Sequence, residues 1–280
     1  MRWRSLFPMF LVALLAGADL QGQSLTIGSY NIRYDNRGDS GNLWKDRAPI
    51  VSALIRFHDF DVFGTQEGLI HQLDAIGAAL PQYRRYGVGR DDGKAKGEHT
   101  QIFFKRDSFL LLDSGDFWLS ETPGKPSLGW DAKCCNRICS WVLLQHRRTR
   151  ASFYFFNAHY DHQGVIARRE SSKLILQKMS QRVKNRPVIF VGDLNCAQGS
   201  EPHALINNSG LLKDAFEKVE FPYAPNGSFN AFGASKGKDI IDHIFVSRHF
   251  EVKRWGLLTD TYNGKFPSDH FPVLSRVILK

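Results

Sequence analysis

Short apolar or alternating runs, set off by turn residues and separated by few helical stretches, constrain this chain most. Residues 25–34, 61–65, 101–104, 109–119, 138–145, 153–158, 188–191, 240–246 and 271–279 read as strands. Residues 45–57, 69–80 and 165–183 have helical character. In the last of these Ile166, Leu174, Ile175, Met179 and Val183 recur mostly at three- and four-residue steps among Arg, Lys, Gln and Ser. Several strands follow one another without a helix between them, which predicts an α/β sandwich: two packed mixed sheets with helices on the outside. The Gly- and Lys-rich insertions at 89–97, 121–129 and 234–238 are too short to separate domains. One domain over 25–280 is expected.

Ahead of that domain lie Arg2 and Arg4, an apolar run from Leu6 to Ala16, and the small residues Ala16-Gly17-Ala18. This is the order of a secretory signal peptide, expected over residues 1–18 with cleavage as late as residue 23. The apolar run is shorter than the roughly 20 residues of a spanning helix. No lipid-accepting cysteine follows it, so the expected destination is the periplasm or the medium, without stable membrane insertion. The formal charge of +9 favours polyanionic partners, although a basic excess is commonly just a solvated surface. Cys134, Cys135, Cys139 and Cys196 allow one or two disulfides in an oxidising compartment, with the pairing open.

The chemically informative pattern is positional. Polar side chains that suit metal or phosphate repeatedly stand at the ends of apolar strands: Asn31 in YNIRYDN, Glu67 in TQEG, Asn157, His159, Asp161 and His162 in NAHYDH, Asp193 and Asn195 in GDLN, Asp242 and His243 in IDHIF, and Asp269 and His270 in SDHFPV. Strand ends are where α/β sheets bind ligands. Each residue alone has a plain structural explanation, as a turn, bulge or cap. All of them together point to a site. Oxygen-rich donors with few thiols suit Mg²⁺ or Mn²⁺. Carboxylate, imidazole and amide groups around such an ion fit hydrolysis of a phosphate ester. Neither a phosphate-binding G-x-x-x-x-G-K-[ST] loop nor a G-x-S-x-G elbow is present in the sequence.

With these motifs in this order the chain resembles the endonuclease/exonuclease/phosphatase superfamily from about Leu25 to Leu279. It looks nearest to exported bacterial members and more distantly like the nocturnin-type exoribonuclease branch. The resemblance implies a four-layered, deoxyribonuclease-like sandwich and a divalent-metal-dependent hydrolase. It makes Asn31, Glu67 and Asp269 metal-site residues, with Glu67 the direct carboxylate ligand. His159 would contact the scissile phosphate, Asp193 would activate water, and Asn195 would hold water and a phosphate oxygen. Asp242 would pair with His270, which would contact phosphate. Position 33 departs from the Asn-x-Asp of the apurinic endonucleases, being Arg33. Arg137, with Trp130 before it, forms a basic and aromatic cluster suited to binding substrate. The leading expectation is a secreted, monomeric phosphodiesterase or nuclease acting on nucleic acid or nucleotides. A phosphomonoesterase acting on sugar or inositol phosphates is the alternative, and a non-catalytic polyanion binder the third reading.

Overall fold

The computed structural model describes residues 22–280, so the expected 1–18 leader lies outside the described residues. The strands are β1 Gln23–Asn31, β2 Val62–Gly68, β3 Tyr83–Tyr86, β4 His99–Lys105, β5 Phe109–Trp118, β6 Ile138–His146, β7 Ser152–His159, β8 Val188–Asp193, β9 Lys213–Asp214, β10 Asp242–Val246, β11 Phe250–Leu257 and β12 Val273–Leu279. The helices are α1 Trp44–His58, α2 Ile70–Ala79, α3 Val165–Val183, α4 Glu201–Asn207 and α5 Ala215–Lys218. One six-stranded sheet has the order β11-β12-β1-β2-β4-β3, the other β5-β6-β7-β8-β10-β9.

Strand alternation builds the layers. In β7, Phe153 and Phe155 face the other sheet, where they meet Ile27, Val62 and Ile102. Tyr154 and Phe156 face the opposite way, into a second core with Ile175 and Met179 of α3. On the far side of the first sheet, Phe63 and Phe103 pack with Val51, Leu54 and Leu73 of α1 and α2. Strands buried on both faces read as continuous apolar runs, and the result is the expected helix–sheet–sheet–helix sandwich. None of the described helices is long and apolar enough to cross a membrane.

Topology brings the polar strand ends together. β1 and β2 are parallel, as are β7 and β8, each pair joined across a helix. Their C-terminal ends, carrying Asn31, Glu67, His159 and Asp193, therefore share one edge. β10 runs antiparallel to β8, so Asp242 at its start lies opposite Asp193. β12 runs antiparallel to β1, and the segment leading into it brings Asp269 and His270 to the same edge.

A buried carboxamide ties the sheets together beneath that edge. Asn157 of β7 donates to the carbonyls of Thr65 in β2 and Gln101 in β4 at 2.9 and 3.0 Å, and its oxygen accepts from Gln66 Nε2 at 2.7 Å. The neighbouring Gly64 leaves room for it: a Cβ there would come within 2.5 Å of Asn157 Cγ. Asn157 therefore serves as a pin between the sheets.

Some elements escaped the sequence pattern for physical reasons. In β11 a register shift between Val252 and Arg254 breaks the alternation. β3, α4 and α5 are only 4, 7 and 4 residues long, too short for periodicity to register. The first strand stops at Asn31 rather than at residue 34, because Arg33 takes φ 55° and its N–H turns back to Asn31 Oδ1 at 3.0 Å.

Replacing Asn157 with Leu takes a hydrogen bond from each of three buried polar groups, of which Gln66 Nε2 keeps its contact with Ser29 Oγ at 3.3 Å. Unfolding by urea should show a loss of about 2–5 kcal/mol. A loss under about 0.5 kcal/mol would mean the pin adds nothing net to packing.

Candidate active site

The shared edge opens into a cleft of about 740 Å³ whose walls include Glu67, His159, Asp193, Asn195, Asp269 and His270. Asn31 lies beneath them. Its Nδ2 donates at 3.0 Å both to Glu67 Oε1 and to Asp193 Oδ2, so one amide joins carboxylates from the two sheets. Its Oδ1 accepts from the Arg33 amide. Asn31 thus joins the carboxylates of Glu67 and Asp193 through its N–H groups, beneath the place where the motifs put a metal ion.

Glu67 reaches the cleft because the β2–β4 register shifts between Thr65 and Gly68, where Glu67 takes a left-handed backbone at φ 65°. Asn195 is also left-handed, at φ 47°, a conformation that costs a residue other than glycine on the order of 1 kcal/mol. Its backbone N–H is held by Asp193 Oδ1 at 2.9 Å and its Nδ2 donates to Tyr160 O at 3.0 Å. One amide hydrogen and the carboxamide oxygen remain for the cleft. Cys196 follows as a packing residue in the helix-side core. Its carbonyl accepts from His243 Nε2 at 3.0 Å, and His243 Nδ1 faces Asp214 at 3.4 Å. A buried network therefore backs the GDLN turn.

Asp193 Oδ2 lies 3.6 Å from His159 Nε2 and 3.9 Å from His270 Nε2, between the two imidazoles. His270 Nδ1 donates to Asp242 Oδ2 at 2.8 Å, as the motif implied. Burial alone would lower the pKa of His270. The charge and hydrogen bond of Asp242, with Asp193 and Asp269 adding, hold it well above the ordinary imidazole value. His159 goes the other way: burial first, then the charge of Arg137, bring it down to about 3. Asp193 is raised by burial and by Asp242.

Asp269 is raised by burial, with Glu67 adding to the effect while His270 and Arg33 oppose it. Carboxylates pressed this close suit a cation, and the oxygens of Glu67 and Asp193 lie within 4.8 Å of each other and of a His159 ring nitrogen. These residues fit a hard divalent ion. Arg33 supplies one fixed positive charge, 2.9 Å from Asp39, 3.6 Å from Asp269 and 3.9 Å from Glu67.

Arg137 lines the cleft as expected, but Trp130 does not. It lines a separate surface depression with Glu121 and Lys173. Its backbone N–H is turned onto Glu121 Oε2 at 3.0 Å, and its φ of 47° takes it away from the cleft wall. Trp141 is core, and Trp118 uses its indole N–H to hold the Arg90 carbonyl at 2.6 Å. Cys134 and Cys135 form a disulfide while Cys139 and Cys196 stay free and buried. Sequence reasoning did not single out Arg90, Glu98, Asp39 or Phe229, all of which line the cleft.

The family model described as Endonuclease/Exonuclease/phosphatase family matches residues 28–270. The chain belongs to that family. An endonuclease/exonuclease/phosphatase family protein from Bacteroides thetaiotaomicron superposes with TM-score 0.89 at 47% identity, covering 93% of this chain and 99% of the other. The mannosyl-6-phosphatase Bt3783 of Bacteroides thetaiotaomicron VPI-5482 superposes with TM-score 0.88 at 48% identity, covering 91% and 100%. The catalytic domain of human nocturnin, at 18% identity and TM-score 0.74 over 94% and 96%, shares the fold. Among curated relatives, the 3'-5'-exoribonuclease subunit Ccr4 of the CCR4-Not complex of Saccharomyces cerevisiae is 24% identical over 83% of this chain. The chain spans 35% of that relative's length and 48% of the Emericella nidulans Ccr4. Enzymes of this family hydrolyse phosphate esters and depend on divalent metal.

The depressed pKa of His159 has a sign that can be checked. Its contribution to stability is complete above its ordinary value of 6.5 and is lost as pH falls toward 3. Between pH 7 and 4, a His159→Asn variant should therefore lose stability less steeply than the parent, by up to about 1.4 kcal/mol per pH unit. Asp193 and Asp269, being raised, act with the opposite sign, but both proteins carry them. Parallel slopes in urea denaturation would show that His159 titrates normally.

Proposed function

We propose that this protein is a divalent-metal-dependent phosphomonoesterase that removes a terminal phosphate from a sugar. The observation that carries the proposal is the 48% identity, over 91% of this chain, to a mannosyl-6-phosphatase. A cleft of about 740 Å³ is the size of a small-molecule site and accords with it. The nuclease reading expected from the sequence has weaker support, since the exoribonuclease Ccr4 relative is 24% identical and only partly spanned. Mg²⁺ or Mn²⁺ is the ion proposed, and export through the N-terminal leader is part of the same reading.

The chemistry follows from the side chains. A bound divalent ion supplies charge neutralisation at the phosphate and the departing oxygen. Glu67 and Asp269 would hold it. Asp193, buried and with a raised pKa, is placed to take a proton from the attacking water. Asn195 offers its oxygen to that water and its remaining N–H to a phosphate oxygen. His159, neutral, donates one N–H to phosphate without adding a net charge, whereas His270, kept protonated by Asp242, meets the charge that accumulates in the transition state. Asp242 also fixes the His270 ring, so that Nε2 faces the cleft.

Asp193→Asn, which preserves shape, should lower kcat on mannose 6-phosphate by about 10²–10⁴-fold with its melting temperature maintained. Activity near that of the parent would remove Asp193 from the mechanism. A panel of hexose 6-phosphates, inositol phosphates, nucleotides, RNA and DNA with Mg²⁺ or Mn²⁺ tests the substrate class. Phosphate release from hexose 6-phosphates is expected, and turnover confined to nucleic acid would favour the nuclease reading instead.

A further inference from the structure

One flank of the cleft carries more positive charge and more free donors than the reacting centre uses. Arg137 is 5% exposed, and its guanidinium is only partly satisfied. Nη2 donates to His162 Nδ1 at 2.8 Å, Nε reaches Asp161 Oδ2 only at 3.4 Å, and Nη1 has no acceptor among the described residues. Arg90 stands on the same wall, with Nη1 donating to Glu98 Oε2 at 2.6 Å and Nε without an acceptor among the described residues. Glu98 Oε2 is 3.6 Å from His159 Nδ1, whereas Asp193 Oδ2 is 3.6 Å from His159 Nε2. Arg90 and Glu98 therefore border the ring edge opposite Asp193. Cys135, held to Cys134 by the disulfide, lines the wall next to Arg137.

A buried guanidinium left with an open donor is destabilising until water or a ligand supplies the acceptor. The chemistry of the substrate identifies that acceptor. A phosphate monoester near neutral pH carries close to two charges on three non-ester oxygens. A diester carries one charge on two oxygens, and a carbon chain stands where the third would be. The planar fork of arginine matches phosphate oxygens in a way that a lysine does not.

We propose that Arg137, assisted by Arg90, binds the third non-ester oxygen of a phosphate monoester and so sets a preference for terminal phosphates over diesters. This rests on the phosphomonoesterase reading above and names the residues that would enforce it. Glu98 and Asp161 hold the two guanidinium groups in place. Trp118, through the Arg90 carbonyl, and the disulfide loop fix the wall.

The test compares the parent with Arg137→Gln and Arg137→Lys on p-nitrophenyl phosphate and bis-p-nitrophenyl phosphate under one divalent metal. In Arg137→Gln the monoester-to-diester ratio of kcat/KM should fall at least about tenfold, mainly through the monoester KM, with partial recovery in Arg137→Lys. Equal losses on both substrates, or an unchanged ratio, would overturn the proposal. Arg90→Gln, at a position less buried, should move the ratio the same way and serves where Arg137→Gln folds poorly.

Calorimetric binding of inorganic phosphate against dimethyl phosphate reads the same selectivity without turnover. The parent should favour inorganic phosphate at least about tenfold and Arg137→Gln should lose that preference. A parent without preference would also overturn the proposal. Failure of the sugar-phosphatase reading looks different: no hexose phosphate is hydrolysed, while phosphate is still selected over dimethyl phosphate through Arg137, which upholds the clamp alone.

Discussion

The Asn31 amide holds Glu67 of one sheet and Asp193 of the other in a single hydrogen-bonded group, and the remaining site geometry depends on the two sheets keeping that relation. The register is set deeper, where Asn157 crosses from β7 to the carbonyls of β2 and β4 beneath the cleft. Hydrophobic packing between the sheets is strong but nondirectional. Paired polar groups add the direction, because a shift along the strands would leave them buried and unsatisfied. The pair of Asp242 and His270 repeats the arrangement at the rim, joining β10 of one sheet to the segment that enters β12 of the other.

Charge is arranged by the same crossing. Asp193, Asp242, Asp269 and Glu67 gather at one edge, and their mutual repulsion is met from three sides: His270 protonated beside Asp242, Arg33 beside Glu67 and Asp269, and the place suited to a cation among the carboxylates. His159, caught between Glu98 and Asp193 yet buried near Arg137, stays neutral. Two histidines of one cleft are thus driven in opposite directions by their surroundings. That division gives a neutral donor on one side of Asp193 and a charged one on the other.

Much of this was legible in the chain because strand ends are sequence-local. GDLN displays Asp193 and Asn195 directly after an apolar run, and both parallel pairs follow from strands separated by one helix. The Asp242–His270 pair came through the family resemblance and was found at hydrogen-bond distance. What stayed hidden depends on contacts between distant segments. Arg90 lies in the Gly- and Lys-rich insertion and Glu98 directly after it, and they become cleft residues only when Trp118 anchors the Arg90 carbonyl and Glu98 meets His159. Trp130 shows the converse: it is near Arg137 in sequence, yet a left-handed backbone turns it onto another surface. The contact of the Asn31 N–H groups with Glu67 and Asp193 also stayed hidden, because it forms only where the two sheets meet.

The central residues also explain why family membership alone does not choose a substrate. In the mechanism proposed, Asp193, Asn195, His159 and His270 address phosphorus, water and non-bridging oxygens, which monoesters and diesters share. Discrimination must come from groups that meet what differs: a third charged oxygen, a second ester chain or the alcohol being released. Under the proposal above those positions fall to the wall of Arg90, Arg137 and Cys135, and to Phe229, which packs edge-on against the His270 ring at 5.1 Å. That wall is built from segments outside the strand-end motifs, so it can change without disturbing the crossing of the two sheets. A conserved mode of reaction and a variable substrate are therefore consequences of the same architecture.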